Sequence, residues 1–279
     1  MIADEFHIVR FQNGVYDLLA HRFVPSAGAD VGSGAGSVNG SGAGPVAGPS
    51  TGYDYRDFDR EDPLLATLDG IIRSGQPDRE VREYVLCSVA GRLDGVIRDQ
   101  RIDVWVGPSA RRIAELVRVA LGNYSVVLPS GILTGERSPP SELPSMSVST
   151  LRDRLLATVH LDGDEDGGRL NEPVVLDIVS GEPFEVRGLF GDPCLIRPRF
   201  GLLVTAEGVD AVNTSHGGLV RRMRVSTWHT VPDFDPFLLR QALIWLLLNV
   251  YHPLYQSQGL RIPASMVQMA QTVSSVNAV

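Results

Sequence analysis

The densest group of metal-type ligands in the chain is Asp162-Gly163-Asp164-Glu165-Asp166-Gly167, a D-x-D-x-D-G run of the kind that opens a calcium loop. Such a loop closes on a bidentate Glu at its twelfth position. Here that position is Pro173, Glu172 falls one residue short, and Arg169 occupies the eighth position, where an apolar residue belongs. The run reads as a charged surface turn. The six histidines are scattered, and no pair has ligand spacing supported by a third residue, so no metal site is expected. Two cysteines, Cys87 and Cys194, support neither a disulfide framework nor a zinc site, and their apolar surroundings make them buried free thiols. All 25 basic residues of the Lys+Arg class are arginine. A chain without lysine excludes Schiff-base chemistry and every phosphate-loop enzyme that depends on its own lysine.

The elements that would position these residues follow from composition and periodicity. At 279 residues, 43% hydrophobic, the chain has ample material for one large domain or two ordinary ones. Its formal charge of −8 excludes a histone-like or polybasic membrane-binding surface, although a local basic groove is compatible with it. The N-terminal MIADEFHIVRF lacks the apolar run of a signal peptide. The most apolar stretch, 237–254, is interrupted by Arg240, Gln241, Asn249 and Pro253, far from the ~20 apolar residues of a membrane span. A soluble, intracellular protein of a reducing compartment is expected.

Residues 27–52 are almost wholly Gly, Ala, Ser, Val and Pro, and read as a flexible insertion within an N-terminal unit, 1–60. A helical lead-in (61–100) has apolar residues at helical spacing over 62–74, with Pro63 inside an Asp62 cap, and over 78–93. The core (101–232) opens with a strand at 102–106, a Gly-Pro-Ser turn and a helix from about 111 to 121. Further strands are read at 155–161, 201–206 and 221–228, and a helix opened by Asn171 and Pro173 is closed by Gly181. The C-terminal part (233–279) holds a long helix over about 236–250 and a short one opened by Pro263. Strands alternating with helices predict an α/β domain with a mostly parallel sheet and helical flanks.

Eight segments stand in an order that resembles the superfamily 3 helicases, in particular the primase–helicases of poxviruses, giant DNA viruses and some phages. They are FQNGVYDL (11–18) with GYDYRDF (52–58), REYVLCSVAGRLDG (82–95), IDVWVG (102–107), ALGNYSVVLPSGILTG (120–135), SGEPFEVRGLF (180–190), IRPRFGLLVTAE (196–207), HGGLVRRMRVSTW (216–228) and RQALIWLLLNVYHPLYQSQGLRIP (240–263). The resemblance covers nearly the whole chain except 27–52. It implies an AAA+-like P-loop NTPase core with a parallel sheet, a small N-terminal unit and helical flanking segments.

The departures from the family fall on its chemistry. In that family a G-x-x-x-N-G-K-S/T loop cradles phosphates through backbone amides, a lysine and a Mg²⁺-holding hydroxyl. Here the strand exits into Gly107-Pro108-Ser109-Ala110-Arg111-Arg112. Anchored on Leu121-Gly122, Ala110 takes the lysine position and Arg111-Arg112 the hydroxyl positions; anchored on Gly107, Arg112 takes the second glycine and Ile113 the lysine. Either way the loop is about three residues short, Pro108 lacks an amide donor, and arginines replace glycines. Arg111 or Arg112 remains a bidentate phosphate donor in principle. The magnesium carboxylate position is His160, a poor ligand for a hard cation, with Asp162 two residues on as a substitute if the strand slips. Leu176 stands where a lysine is usual, and Glu207 stands at the polar sensor position, where its charge would repel a γ-phosphate.

One functional residue of the family remains, Arg222, which by the resemblance is an arginine finger acting in trans on a neighbour's ATP. The alternative is that Arg221, Arg222 and Arg224 line a solvated strand. Arg187, Arg197 and Arg199 cluster where the family contacts DNA, or form a solvated face. The resemblance thus implies a decayed DNA-unwinding ATPase, with no cofactor expected, or ATP and Mg²⁺ if activity is retained. Its implied partners are a homo- or hetero-oligomeric ring, a hexamer in the family, and DNA. A residual helicase with a noncanonical loop, or a virion component reusing the fold, are the alternatives.

Overall fold

The computed structural model describes residues 7–26, 48–134, 151, 153–161, 170–187, 193–212, 214 and 217–276. At its centre are five parallel strands, β4 (Ile102–Val106), β5 (Ser125–Leu128), β6 (Leu156–Leu161), β9 (Gly201–Ala206) and β10 (Met223–Thr227), in the spatial order β10-β4-β9-β6-β5. Every position of β4 and β9 is buried, as befits inner strands of a parallel sheet covered on both faces. Their side chains alternate between two layers. Ile102, Val104 and Val106, with Leu202, Val204 and Ala206, join one apolar cluster, whereas Trp105 and Leu203 join the other.

The layer on the Trp105 side contains α1 (Pro63–Gly75), α2 (Arg79–Gly91), α3 (Ala110–Leu121) and α7 (Pro236–Leu246). The opposite layer holds α4 (Gly131–Thr134), α5 (Glu172–Ser180), α6 (Gly217–Arg222) and α9 (Ala264–Val276). Local chemistry sets most of these boundaries. Asp62, Asp78, Asn171 and Asp235 accept amide hydrogen bonds at the first turns of α1, α2, α5 and α7, and Gly181 ends α5 in the left-handed conformation at φ 72°.

Three elements depart from the sequence reading. The long C-terminal helix passes through a π-helical turn, Leu247–Tyr251, into α8 (His252–Gln258), which the hydrophobic pattern does not distinguish from plain α-helix. Residues 217–222 form helix α6, so Arg221 and Arg222, read as the start of the strand at 221–228, end a helix and β10 begins after them. An antiparallel pair, β7 (Phe184–Arg187) and β8 (Pro193–Ile196), stands apart from the main sheet.

The N-terminal unit is a small antiparallel sheet, β1 (Ile8–Phe11), β2 (Gly14–Asp17) and β3 (Arg22–Pro25), docked on the helical layer. Phe23 stacks on Tyr55 at 4.5 Å, and Tyr16 donates to Asn249 Oδ1 at 2.9 Å. Residues 27–47 of the Gly/Ser/Ala segment lie outside the described residues. Its last residues do not belong to a flexible insertion: Thr51 is buried, its amide donates to Arg10 O, and Ser50 O accepts from the Asn123 amide. Two short backbone bonds outweigh the weak composition there.

Beneath β4 lies a buried ionic group. Asp103, the one charge in IDVWV, accepts from Ser88 Oγ at 2.7 Å and Arg92 Nη2 at 3.3 Å, with Arg101 Nε at 3.8 Å. Burial pushes the Asp103 carboxyl up, but the Arg101 and Arg92 guanidinium groups and its hydrogen bonds outweigh this and hold it below the usual carboxylate range. A depressed native value means that the stabilisation is fully present above the unfolded value of about 3.9 and is lost as pH falls through the native one. Denaturant unfolding from pH 7 to pH 3 should therefore show a falling midpoint. Asp103→Asn, which leaves the buried Arg92 without a carboxylate partner while Arg101 keeps Asp99, should cost roughly 3–5 kcal/mol at pH 7 and flatten that acid dependence.

Candidate functional site

Helix α3 leaves β4 for one face of the sheet, whereas α5 and α6, which follow β6 and β9, lie on the other. The crevice outside the carboxyl ends of β4 and β9 is therefore the topological switch point, where open parallel sheets bind ligands. Gly107, Ser109, Ala110, Arg111 and Arg112 occupy it, with Glu207 one residue beyond β9 and exposed.

The loop is closed by the protein's own chain. Gly107 has φ 121°, its amide donates to Ala206 O at 3.0 Å, and a Cβ there would collide with the Trp228 carbonyl. The Trp228 amide in turn donates to Val106 O at 2.7 Å, and the Ala110 amide donates to Gly107 O at 3.1 Å. Ser109 is buried, and its Oγ accepts from the Val231 amide at 3.0 Å. Ala110 is 0% exposed. Arg112 donates to Phe234 O at 2.6 Å and to Glu115 at 2.9 Å, with its guanidinium 5.2 Å from the Phe234 ring centroid. Segment 228–234 thus runs across the first turn of α3. As arranged, these residues do not cradle a Mg²⁺–triphosphate: the Gly107 and Ala110 amides are bonded to Ala206 O and Gly107 O, Ser109 Oγ accepts from Val231, and Arg112 is held by 233–234 and Glu115.

The remaining sequence candidates do not converge on the loop. Arg222 donates to Gly218 O at 3.2 Å and precedes Met223, which pairs with Ile102 at the start of β4, a strand's length from Gly107. Arg197 and Arg199 are exposed on the segment between β8 and β9, and Arg187 lies on β7. Asp162 and the acidic run 162–167 fall outside the described residues. Among the described residues no group of three His, Cys, Asp or Glu side chains could hold a metal ion. Burial pushes the Cys87 thiol up to about 12, so it is no nucleophile at neutral pH.

Beside the closed loop lies a cleft of ≈ 290 Å³ that the motif reading missed, lined by Arg111, Ala114, Glu115 and Arg118 of α3 and by Val127, Thr158, His160 and Thr205 of the sheet. His160 and Thr205 are register partners across β6 and β9, with Nδ1 3.0 Å from Oγ1. The available signal was the alternation of Thr158 and His160 in an otherwise apolar strand, opposite Arg111 and Arg118 at i and i+7 on one helix face.

No family model matches the chain. A helicase candidate, L207/L206 of Acanthamoeba polyphaga mimivirus, is 23% identical over 222 residues, covering 78% of this chain and 21% of that protein. The chain thus spans about a fifth of that relative's length. Three apo structures of the NrS-1 C-terminal region share the fold, with TM-scores of 0.50, 0.51 and 0.52 at 10% identity. They cover 77% of this chain and about half of theirs. The chain is thus distantly similar to a giant-virus helicase-type protein, and its mixed α/β fold with a parallel core sheet and flanking helices is consistent with a P-loop NTPase-like architecture. No helix among the described residues is long and apolar enough to cross a membrane.

Closure of the loop has a measurable signature. Gly107→Ala should destabilise by roughly 2–4 kcal/mol through strain at positive φ and the clash with Trp228 O. Ser109→Ala, which removes only the acceptor for Val231 N, should cost about 1 kcal/mol. Denaturant melts of the two variants check both values.

Proposed function

We propose that the chain is a degenerate superfamily 3 primase–helicase domain with an AAA+-type core, serving as a structural or regulatory partner in DNA replication without hydrolysing ATP. One observation carries this reading: segment 228–234 occupies the approach to the loop, with Val231 on Ser109 and Phe234 on Arg112. The absence of lysine from the sequence and the distant helicase-type relative support it. Calorimetry of the purified protein with Mg²⁺-ATP should give no binding in the micromolar range and no turnover. Micromolar affinity that Ser109 variants abolish would sink the proposal.

Arg222 is the residue of this reading that serves a neighbour. It stands at the opposite end of β4 from its own loop, so any nucleotide it meets belongs to another subunit. In a mixed ring with an active helicase of the same source, wild type should raise ATP turnover and Arg222→Ala should not. Stimulation indifferent to Arg222 leaves it a surface charge.

A further inference from the structure

The geometry points to an oxyanion-binding site in the cleft between α3 and β6, built on Arg111 and Arg118 and independent of magnesium and of the closed turn Gly107–Ala110. It rests on the reading above only in that the loop itself is closed.

Three consecutive features of α3 create it. Arg111 and Arg118 are seven residues apart, so they project from one helix face about 10.5 Å apart along the axis. Between them on that face is Ala114, whose methyl group leaves the space that a longer side chain would fill. Among the described residues Glu115 is the one carboxylate lining the cleft, and Arg112 pairs with it at 2.9 Å. Among the described residues neither the Arg111 nor the Arg118 guanidinium has an ion-pair or hydrogen-bond partner. The contrast with Arg112, held by a carbonyl, a carboxylate and a ring, shows that arginines on this turn are engaged when a partner is within reach.

The opposite wall adds polarity without negative charge. Thr158 donates to Val126 O and Thr205 to Val159 O, both at 3.3 Å, and His160 Nδ1 meets Thr205 Oγ1. The Thr158 and Thr205 hydroxyl hydrogens are thus spent on carbonyls, so selection falls to the two free guanidinium forks, each of which places two parallel N–H donors on one oxyanion and so favours an anion with several oxygens. A volume of ≈ 290 Å³ lies at the foot of the ~300–1,000 Å³ range of small-molecule pockets, which suits a compact multivalent oxyanion. The protein carries −8 overall, so a diffuse field would repel such an anion and only a local site can hold it.

The test is titration of the full chain with inorganic pyrophosphate in chelator-treated, low-salt buffer. The expected result is one saturable site, weakened ~10-fold or more in each of Arg111→Gln and Arg118→Gln and by less than ~2-fold in Arg73→Gln, an exposed arginine on α1. Thermal melts of the variants confirm that each is folded; Arg111 is exposed and Arg118 half-buried, so neither substitution opens the core. Absence of metal-free binding, or equal weakening by Arg73→Gln, overturns the cleft while leaving the closed loop intact. Pyrophosphate binding that requires Mg²⁺ and is lost on Ser109→Ala overturns the cleft and the closed loop together.

Discussion

A single close approach organises the chemical end of this molecule: the Trp228 carbonyl lies where the Cβ of any residue but glycine at 107 would stand. The Trp228 amide extends the β10–β4 ladder one step past the last strand pair, and its ring packs on Trp105 at 5.0 Å between centroids. Once Trp228 is held there, the chain that follows has one short route to α7, across the first turn of α3. Val231 then meets Ser109 and Phe234 meets Arg112 as consequences of that route. The Gly107 and Ala110 amides are thereby spent within the chain, because each N–H has a single hydrogen to give.

The other end of β4 is anchored electrostatically. Asp103, Arg92 and Arg101 are all buried, and such a group specifies an arrangement more than it adds stability, since desolvation offsets much of the attraction. A comparable tie joins the turn after α2 to α8, where the fully buried His252 meets Asp94 at 2.7 Å. The Asp94 carboxyl is raised by burial but lowered further by His252 and Arg98, so it stays ionised beside the imidazole. The first link ties α2 to β4 of the sheet, and the second ties the turn after α2 to α8.

Where a metal-dependent phosphate site has carboxylates, the described sheet wall of this cleft carries an imidazole and hydroxyls, and positive charge comes from guanidinium groups fixed to the helix. A guanidinium keeps its charge without a metal and orients its donors in a plane, so the electrostatics of the cleft differ in kind from those of the loop it adjoins.

What the sequence determined by itself was local. The caps at Asp62 and Asn171, the stop at Gly181, and the strands at 102–106 and 201–206 were legible because each is set by a few neighbouring residues. The absence of lysine was legible too, since the identity of a residue needs no fold. The strand 125–128, the N-terminal sheet and the π-turn after 246 were not, because four-residue strands and one extra residue per helical turn leave no periodic trace. Arg222 was read on a strand, yet the packing of Leu219 into the core made 217–222 a helix. The closure of the loop by residues 120 positions away, and the meeting of Arg111 and Arg118 with His160 and Thr205, were decided only by tertiary structure. Such contacts depend on strand order and crossover path, and these are set by the burial of whole layers, which no local spacing encodes.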